Sequence, residues 1–327
     1  MFAIFSYSLN ALLPLFIIIF FGYFIARNDS VDKDFFRKLN QLCFRYFLPI
    51  QLFQNVYQIE SMNAINWTVI LYMLLSIFVL AALGVLAARL FVSDSRQKGV
   101  LVQAVFRSNL AVIGPPLATA LGGVASAAFN AVSTAFMVPI LNILAVIIFT
   151  IYGSHNQKLA IGSLVKKIFC NPLIIGAFCG LVVVFLRQII NPIFSIQYDF
   201  APIYQALQTV SQIASPIMLF CLGAGLDFKA TSNLRHQIFL GLGLRLCFAP
   251  FLVIGSAVLL RNQLGLTMVE LPALIALSAS SVAVTSTVMA QESGCDDQYA
   301  SQLVVWSSVC SLVTNFCIIS LLKVFSF

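Results

Sequence analysis

"RSNLAVIGPPLATALGG", Arg107 to Gly123, lies in an apolar stretch long enough to cross a bilayer, yet it carries Asn109 and then Gly114-Pro115-Pro116. Proline has no N–H and its ring clashes with the carbonyl four residues back, so this triplet frees the carbonyls of Ala111 and Val112 and predicts a broken helix. At membrane depth, irregular backbone is tolerated only where it lines a cavity or is buried in protein. The stretch therefore predicts an intramembrane binding site, with Asn109, Gly114, Pro115 and Pro116 facing a solute; the alternatives are a helix–helix hydrogen bond for Asn109 and a simple proline kink for the triplet.

Composition supports that setting. Of the 327 residues, 61% are hydrophobic and 9% charged, with a mean hydropathy of +0.99, against about 25% charged in a soluble domain. At about 20 residues per span, apolar runs at 4–26, 36–57, 66–91, 98–121, 125–152, 168–190, 202–226, 236–260, 270–291 and 299–325 predict an all-α integral membrane protein of ten transmembrane helices. No gap holds a soluble domain. The first run is too long for a signal-peptide core and no basic residue precedes it, so it reads as a retained span.

Basic residues set the orientation. Arg27, Lys33, Arg37 and Lys38 follow the first run; Arg89, Arg96 and Lys98 the third; Lys158, Lys166 and Lys167 the fifth; Lys229 and Arg235 the seventh. These gaps are expected to be cytoplasmic, which places both termini outside a multi-pass protein of the cell membrane. The net charge of +7 is then a topology signal and not a nucleic-acid surface. Eight cysteines without a C-x-x-C pair read as buried thiols acting as small apolar residues.

Dividing the chain into 1–157 and 158–327 gives five runs in each part, with echoes between them. Pro14-Leu15 and Gly22 match Pro172-Leu173 and Gly180; "PIQLF" (Pro49 to Phe53) matches "PIMLF" (Pro216 to Phe220). The opening stretch slides onto "ASSVAVTSTVMAQESGC", pairing Asn109 with Ser281. With an odd number of runs per part, the second is expected to cross in the opposite sense, as an inverted repeat. The matching run carries Ser278, Ser280, Ser281, Thr285, Ser286 and Thr287. Such hydroxyls suit a carboxylate, or Na⁺ near Ser281, Thr285 and Ser286.

Other polar residues within apolar runs have two readings each. Arg107 either attracts an anion or snorkels to the interface, and Arg45 and Arg245 pose the same choice. Gln51 and Asn55, and the pair Asn142 and Asn315, either line a cavity or join helices. Asp227 either couples a proton or marks an interface. Gly176 and Gly180, in "GAFCG", permit close helix packing.

Five segments in order, "RSNLAVIGPPL", "FLPIQLF", "NPLIIGAFCGL", "SPIMLFCLGAGL" and "AQESGCDDQYASQLVVWSSVCSLVT", make the chain resemble the auxin efflux carrier family, which includes bacterial malate and malonate permeases. The resemblance covers nearly the whole chain. It implies a bile-acid-symporter-like fold in which helices 4 and 9 are broken and cross. Helices 1, 2, 6 and 7 would form a scaffold and helices 3–5 and 8–10 a moving transport part, in a homodimer that works by elevator-type alternating access. It also implies that Asn109 contacts a substrate carboxylate. The family's proline in helix 9 is replaced here by Ser286-Thr287, and hydroxyl residues can bend a helix by bonding back to a carbonyl.

Together these features predict a secondary transporter of a small organic anion, embedded in lipid, without a cofactor. Without a nucleotide-binding motif, Na⁺, H⁺, the membrane potential or the substrate gradient must drive it. The alternative is a Na⁺-coupled symporter of the bile-acid type, or an ion exchanger. An enzyme is not expected: H-E-x-x-H and G-x-S-x-G are absent, and the two histidines, His155 and His236, sit at membrane edges.

Overall fold

The computed structural model describes residues 2–28, 31–57, 66–153, 162, 169–189, 200–226 and 232–324. Lys158, Lys166, Lys167, Lys229, His155 and Asp227 lie outside the described residues. The described chain is helical: α1 (Phe2–Arg27), α2 (Lys33–Leu42), α3 (Leu48–Tyr57), α4 (Trp67–Phe91), α5 (Ser95–Phe106) and α6 (Leu110–Gly153) come first. Then follow α7 (Pro172–Ile189), α8 (Ala201–Ala224), α9 (Arg235–Leu242), α10 (Ala249–Leu259), α11 (Arg261–Leu264), α12 (Leu271–Ala279), α13 (Thr285–Ser293) and α14 (Asp297–Val324). Single π-helical segments, Cys43–Phe47 and Gly243–Phe248, join α2 to α3 and α9 to α10, and each carries an arginine, Arg45 or Arg245.

The expected ten transmembrane helices in two inverted sets of five are not what the described residues form. Four helices are long and apolar enough to cross a membrane: Trp67–Phe91, Leu121–Gly153, Ala201–Ala224 and Arg235–Leu259. A fifth is reached if the pair Asp297–Ser311 and Val313–Leu322, bent by 41°, counts as one span. The physical reason is that an apolar run is not a continuous helix. At 1.5 Å per residue, the 12 residues of α5 and the nine each of α12 and α13 fall far short of a hydrocarbon core about 30 Å thick. The described helices likewise do not resolve into two matching halves.

The expected break at Gly114-Pro115-Pro116 is also corrected. All three residues lie within α6, and the chain leaves helical form earlier, at Arg107, Ser108 and Asn109. The prolines fall in the second turn of α6, where only two backbone bonds are forfeited and neighbouring groups can compensate. A kink does occur at Gly123 (φ 64°, ψ −149°), a left-handed conformation open to glycine at little cost.

Two groups of helices meet around one apolar core. In one, α1 packs along α8, and α3 lies between α7 and α8. Backbones touch there: a Cβ on Gly22 would strike the Phe220 carbonyl, one on Gly223 the Ile19 carbonyl, and one on Gly176 the Pro49 carbonyl. In the other group α5 packs on α4 and α6, α12 on α6 and α10, and α14 on α9 and α13. Outward surfaces are apolar, with Phe24, Leu90, Phe178, Phe251 and Leu259 exposed, as suits a lipid-facing exterior around a polar interior. The chain is a multi-pass membrane protein.

Candidate functional site

The breaks after α5 and after α12 meet inside the protein. Ser108 and Val282 form an antiparallel bridge. The Asn109 N–H donates to the Ser281 carbonyl at 2.9 Å and the Ala283 N–H to the Arg107 carbonyl at 3.4 Å. Val282 N–H donates to the Ser307 hydroxyl of α14 at 2.9 Å. Two short extended segments thus satisfy each other where no water or lipid could, as buried backbone requires.

Four helix ends converge on this pairing. The carbonyl ends of α5 and α12 are held by one side chain: Arg245, fully buried, donates to the Val105 carbonyl at 3.1 Å, the Leu277 carbonyl at 2.8 Å and the Ser280 carbonyl at 2.9 Å. A cation there offsets the negative ends of two helix dipoles. At the opposite ends, α6 and α13 begin. The N–H groups of Leu110, Ala111, Val284 and Thr285 have no acceptor among the described residues. Free N–H groups with a positive dipole end form a ready site for an anion.

Beside these helix starts lies a cavity of about 80 Å³ lined by both helix groups. Arg107, Ser108 and Asn109 enter from the first break, Ala111, Val112, Val138 and Asn142 from α6, and Ala283, Val284 and Thr285 from the second break. The other group supplies Leu48, Gln51, Leu52 and Asn55 from α3, Leu173 from α7, and Ser215, Met218 and Leu219 from α8.

Arg107 is 3% exposed. Its guanidinium donates to Asn142 Oδ1 at 2.5 Å and Thr285 Oγ1 at 2.7 Å and touches the Met289 sulfur. Among the described residues no carboxylate lies within ion-pair distance of it. A buried cation without an anion is costly, and this one faces a cavity. The Asn109 amide makes no hydrogen bond among the described residues and lines the same cavity. Gln51 donates to Ser215 across α3 and α8 at 2.9 Å.

Of the residues singled out in the sequence, Arg107, Asn109, Asn142, Gln51, Asn55 and Thr285 are brought together. The rest lie elsewhere. Gly114 makes room for a buried neighbour, since a Cβ there would come 2.5 Å from the Asn130 amide oxygen, and Pro115 is exposed. Pro116 belongs to α6 and its side chain is outside the described set. Ser280 and Ser281 are buried and serve through their carbonyls, while the Ser286 hydroxyl accepts from Gln103 at 2.6 Å. Asn315 is buried away from the cavity. Arg45 faces Glu292 at 3.6 Å. Ser215, Met218 and Leu173 were not anticipated; the "PIMLF" echo passes through Met218 but carries no chemistry that marks it.

The cavity shares lining residues with two neighbouring cavities. Met218 and Val284 also line a larger cavity of about 420 Å³ that reaches Asn40, Thr287, Gln291, Asp297 and Ser301. Leu52, Asn55 and Val138 also line a void of only about 10 Å³ beside Thr134.

Residues 7–319 match the model of a family described as "Membrane transport protein". The chain belongs to this membrane transport protein family. This is the auxin-efflux-carrier type of family that the sequence motifs resemble. No curated protein matches the chain. As a member of a transport family, this membrane transport protein moves a small solute and is not an enzyme.

Proposed function

We propose that the chain is a secondary transporter of a small organic carboxylate, which binds in the cavity beside the paired breaks. The observation that carries this reading is Arg107: a buried guanidinium without a carboxylate partner among the described residues, facing a cavity where two helix starts present free N–H groups. A carboxylate would neutralise the cation and accept those N–H groups, with Asn109 donating from the side. The hydroxyl cluster contributes Thr285 to this pocket, while Ser281 and Ser286 act in the backing structure.

Transport requires the site to face each side in turn. The neighbouring larger cavity, which shares Met218 and Val284 with the site and is lined also by Asn40, Gln291 and Asp297, favours a form that faces that cavity. Sliding of α5, α6, α12 and α13 against α3, α7 and α8 would reverse that bias, because the cavity lies between these sets.

The test is exchange in liposomes. Purified protein loaded internally with unlabelled carboxylates is expected to accelerate uptake of the labelled compound, with saturation, and Asn109→Ala to lose most of that uptake. Flux linear in concentration, or indifference to every carboxylate, defeats the reading.

A further inference from the structure

We propose that the site takes one carboxylate on a short apolar body, and that it discriminates against dicarboxylates and large aromatic acids. This proposal rests on the carboxylate reading above and narrows it.

The cavity is two-sided in its chemistry. Arg107 is the one charged side chain among the described lining residues. Asn55 apart, the groups able to hold an anion come from a single wall: Arg107, Asn109, Asn142, Thr285 and the starts of α6 and α13. Each helix start is worth about half a positive charge, and both lie on the wall that holds Arg107, so they serve the same carboxylate. The wall from α3, α7 and α8 presents Leu48, Leu52, Leu173, Met218 and Leu219. Two of its polar side chains, Gln51 and Ser215, already bond each other at 2.9 Å, which leaves Asn55. A second ionised carboxylate on that wall would be stripped of water without a cation to replace it, and an unpaired buried charge is among the costliest groups to place. An apolar chain would gain there by displacing water from leucine and methionine surfaces.

Size sets the second limit. A cavity of about 80 Å³ holds roughly six water-sized groups at ~10–15 Å³ each. Propionate and butyrate fit that measure; an indole ring carrying an acetate does not.

The experiment is a binding series on purified wild-type protein at pH 7.5, by ligand-induced shift in melting temperature as a function of concentration. The probes are propionate, butyrate, malonate, succinate and indole-3-acetate. Butyrate is expected to bind more than about tenfold tighter than succinate, with propionate near butyrate and indole-3-acetate weaker than both. Asn55→Arg places a second cation on the apolar wall and is expected to raise succinate affinity relative to butyrate by about tenfold or more; if that variant does not fold, the wild-type series decides alone. Malonate or succinate binding as tightly as butyrate, or indole-3-acetate binding tighter, overturns this proposal and leaves the carboxylate reading standing. Absence of binding by every carboxylate overturns both.

Discussion

The backbone N–H of Asn109 donates to the carbonyl of Ser281 at 2.9 Å, joining two breaks that lie in distant parts of the sequence. Each break would be prohibitive alone in an apolar interior; paired, their polar groups satisfy one another. Ser307 completes the arrangement by accepting the Val282 N–H. Ser307→Ala removes that acceptor and leaves a buried donor unpaired, which costs about 1–3 kcal/mol. The melting temperature in detergent should fall accordingly, and an unchanged value would show that Val282 finds another partner.

Arg245 ties the carbonyl ends of α5 and α12 with three hydrogen bonds. Arg245→Leu strands these carbonyls, and with charged hydrogen bonds worth about 1.5–3 kcal/mol each the loss should exceed that of Ser307→Ala. Arg245→Lys keeps the charge but not the three-way geometry, so its stability should fall between wild type and Arg245→Leu. Equal stability of the Lys and Leu variants would remove the charge from the explanation.

Arg107 should behave in the opposite way. Because it is buried without a carboxylate among the described residues, Arg107→Gln relieves a desolvated charge and leaves a shorter, neutral amide in its place. Without ligand, the variant is expected to melt at or above the wild-type temperature, yet to lose carboxylate-driven stabilisation. A marked fall in ligand-free stability would make Arg107 a structural residue.

The contact of α1 with α8 depends on reciprocal glycines, Gly22 at Phe220 and Gly223 at Ile19. Gly223→Ala pushes a methyl into backbone, which cannot rotate aside. Overpacking of this kind costs about 1–3 kcal/mol. Gly255, whose Cβ would meet nothing, is the control: Gly255→Ala should be neutral or slightly stabilising within a helix, and thermal melts of the two variants compare them directly.

Much of the candidate cavity's lining was legible because polar residues in apolar runs are costly and rarely idle. Arg107, Asn109, Asn142, Gln51, Asn55 and Thr285 stood out on that ground and now share a cavity. The position of the break was misplaced because Pro115 and Pro116 are a local signal, whereas the break at Arg107 to Asn109 is fixed by pairing with Ser281 and Val282, a contact no local rule can foresee. The count of ten spans failed for a related reason: hydropathy counts apolar residues and is blind to interruptions such as the one dividing α12 from α13. Leu173 and Met218 escaped notice because an apolar lining residue has the same sequence signature as a lipid-facing one.

The most direct measurement is a structure of the protein saturated with 3-bromopropionate, in which bromine stands in place of butyrate's methyl group, with the bromine located by its anomalous signal. The carboxylate should lie within about 3 Å of the Arg107 guanidinium, and the bromine against Leu48, Leu52 or Met218. A bromine site elsewhere, with the cavity beside Arg107 and Asn109 empty at saturation, would contradict the assignment of this cavity as the transport site.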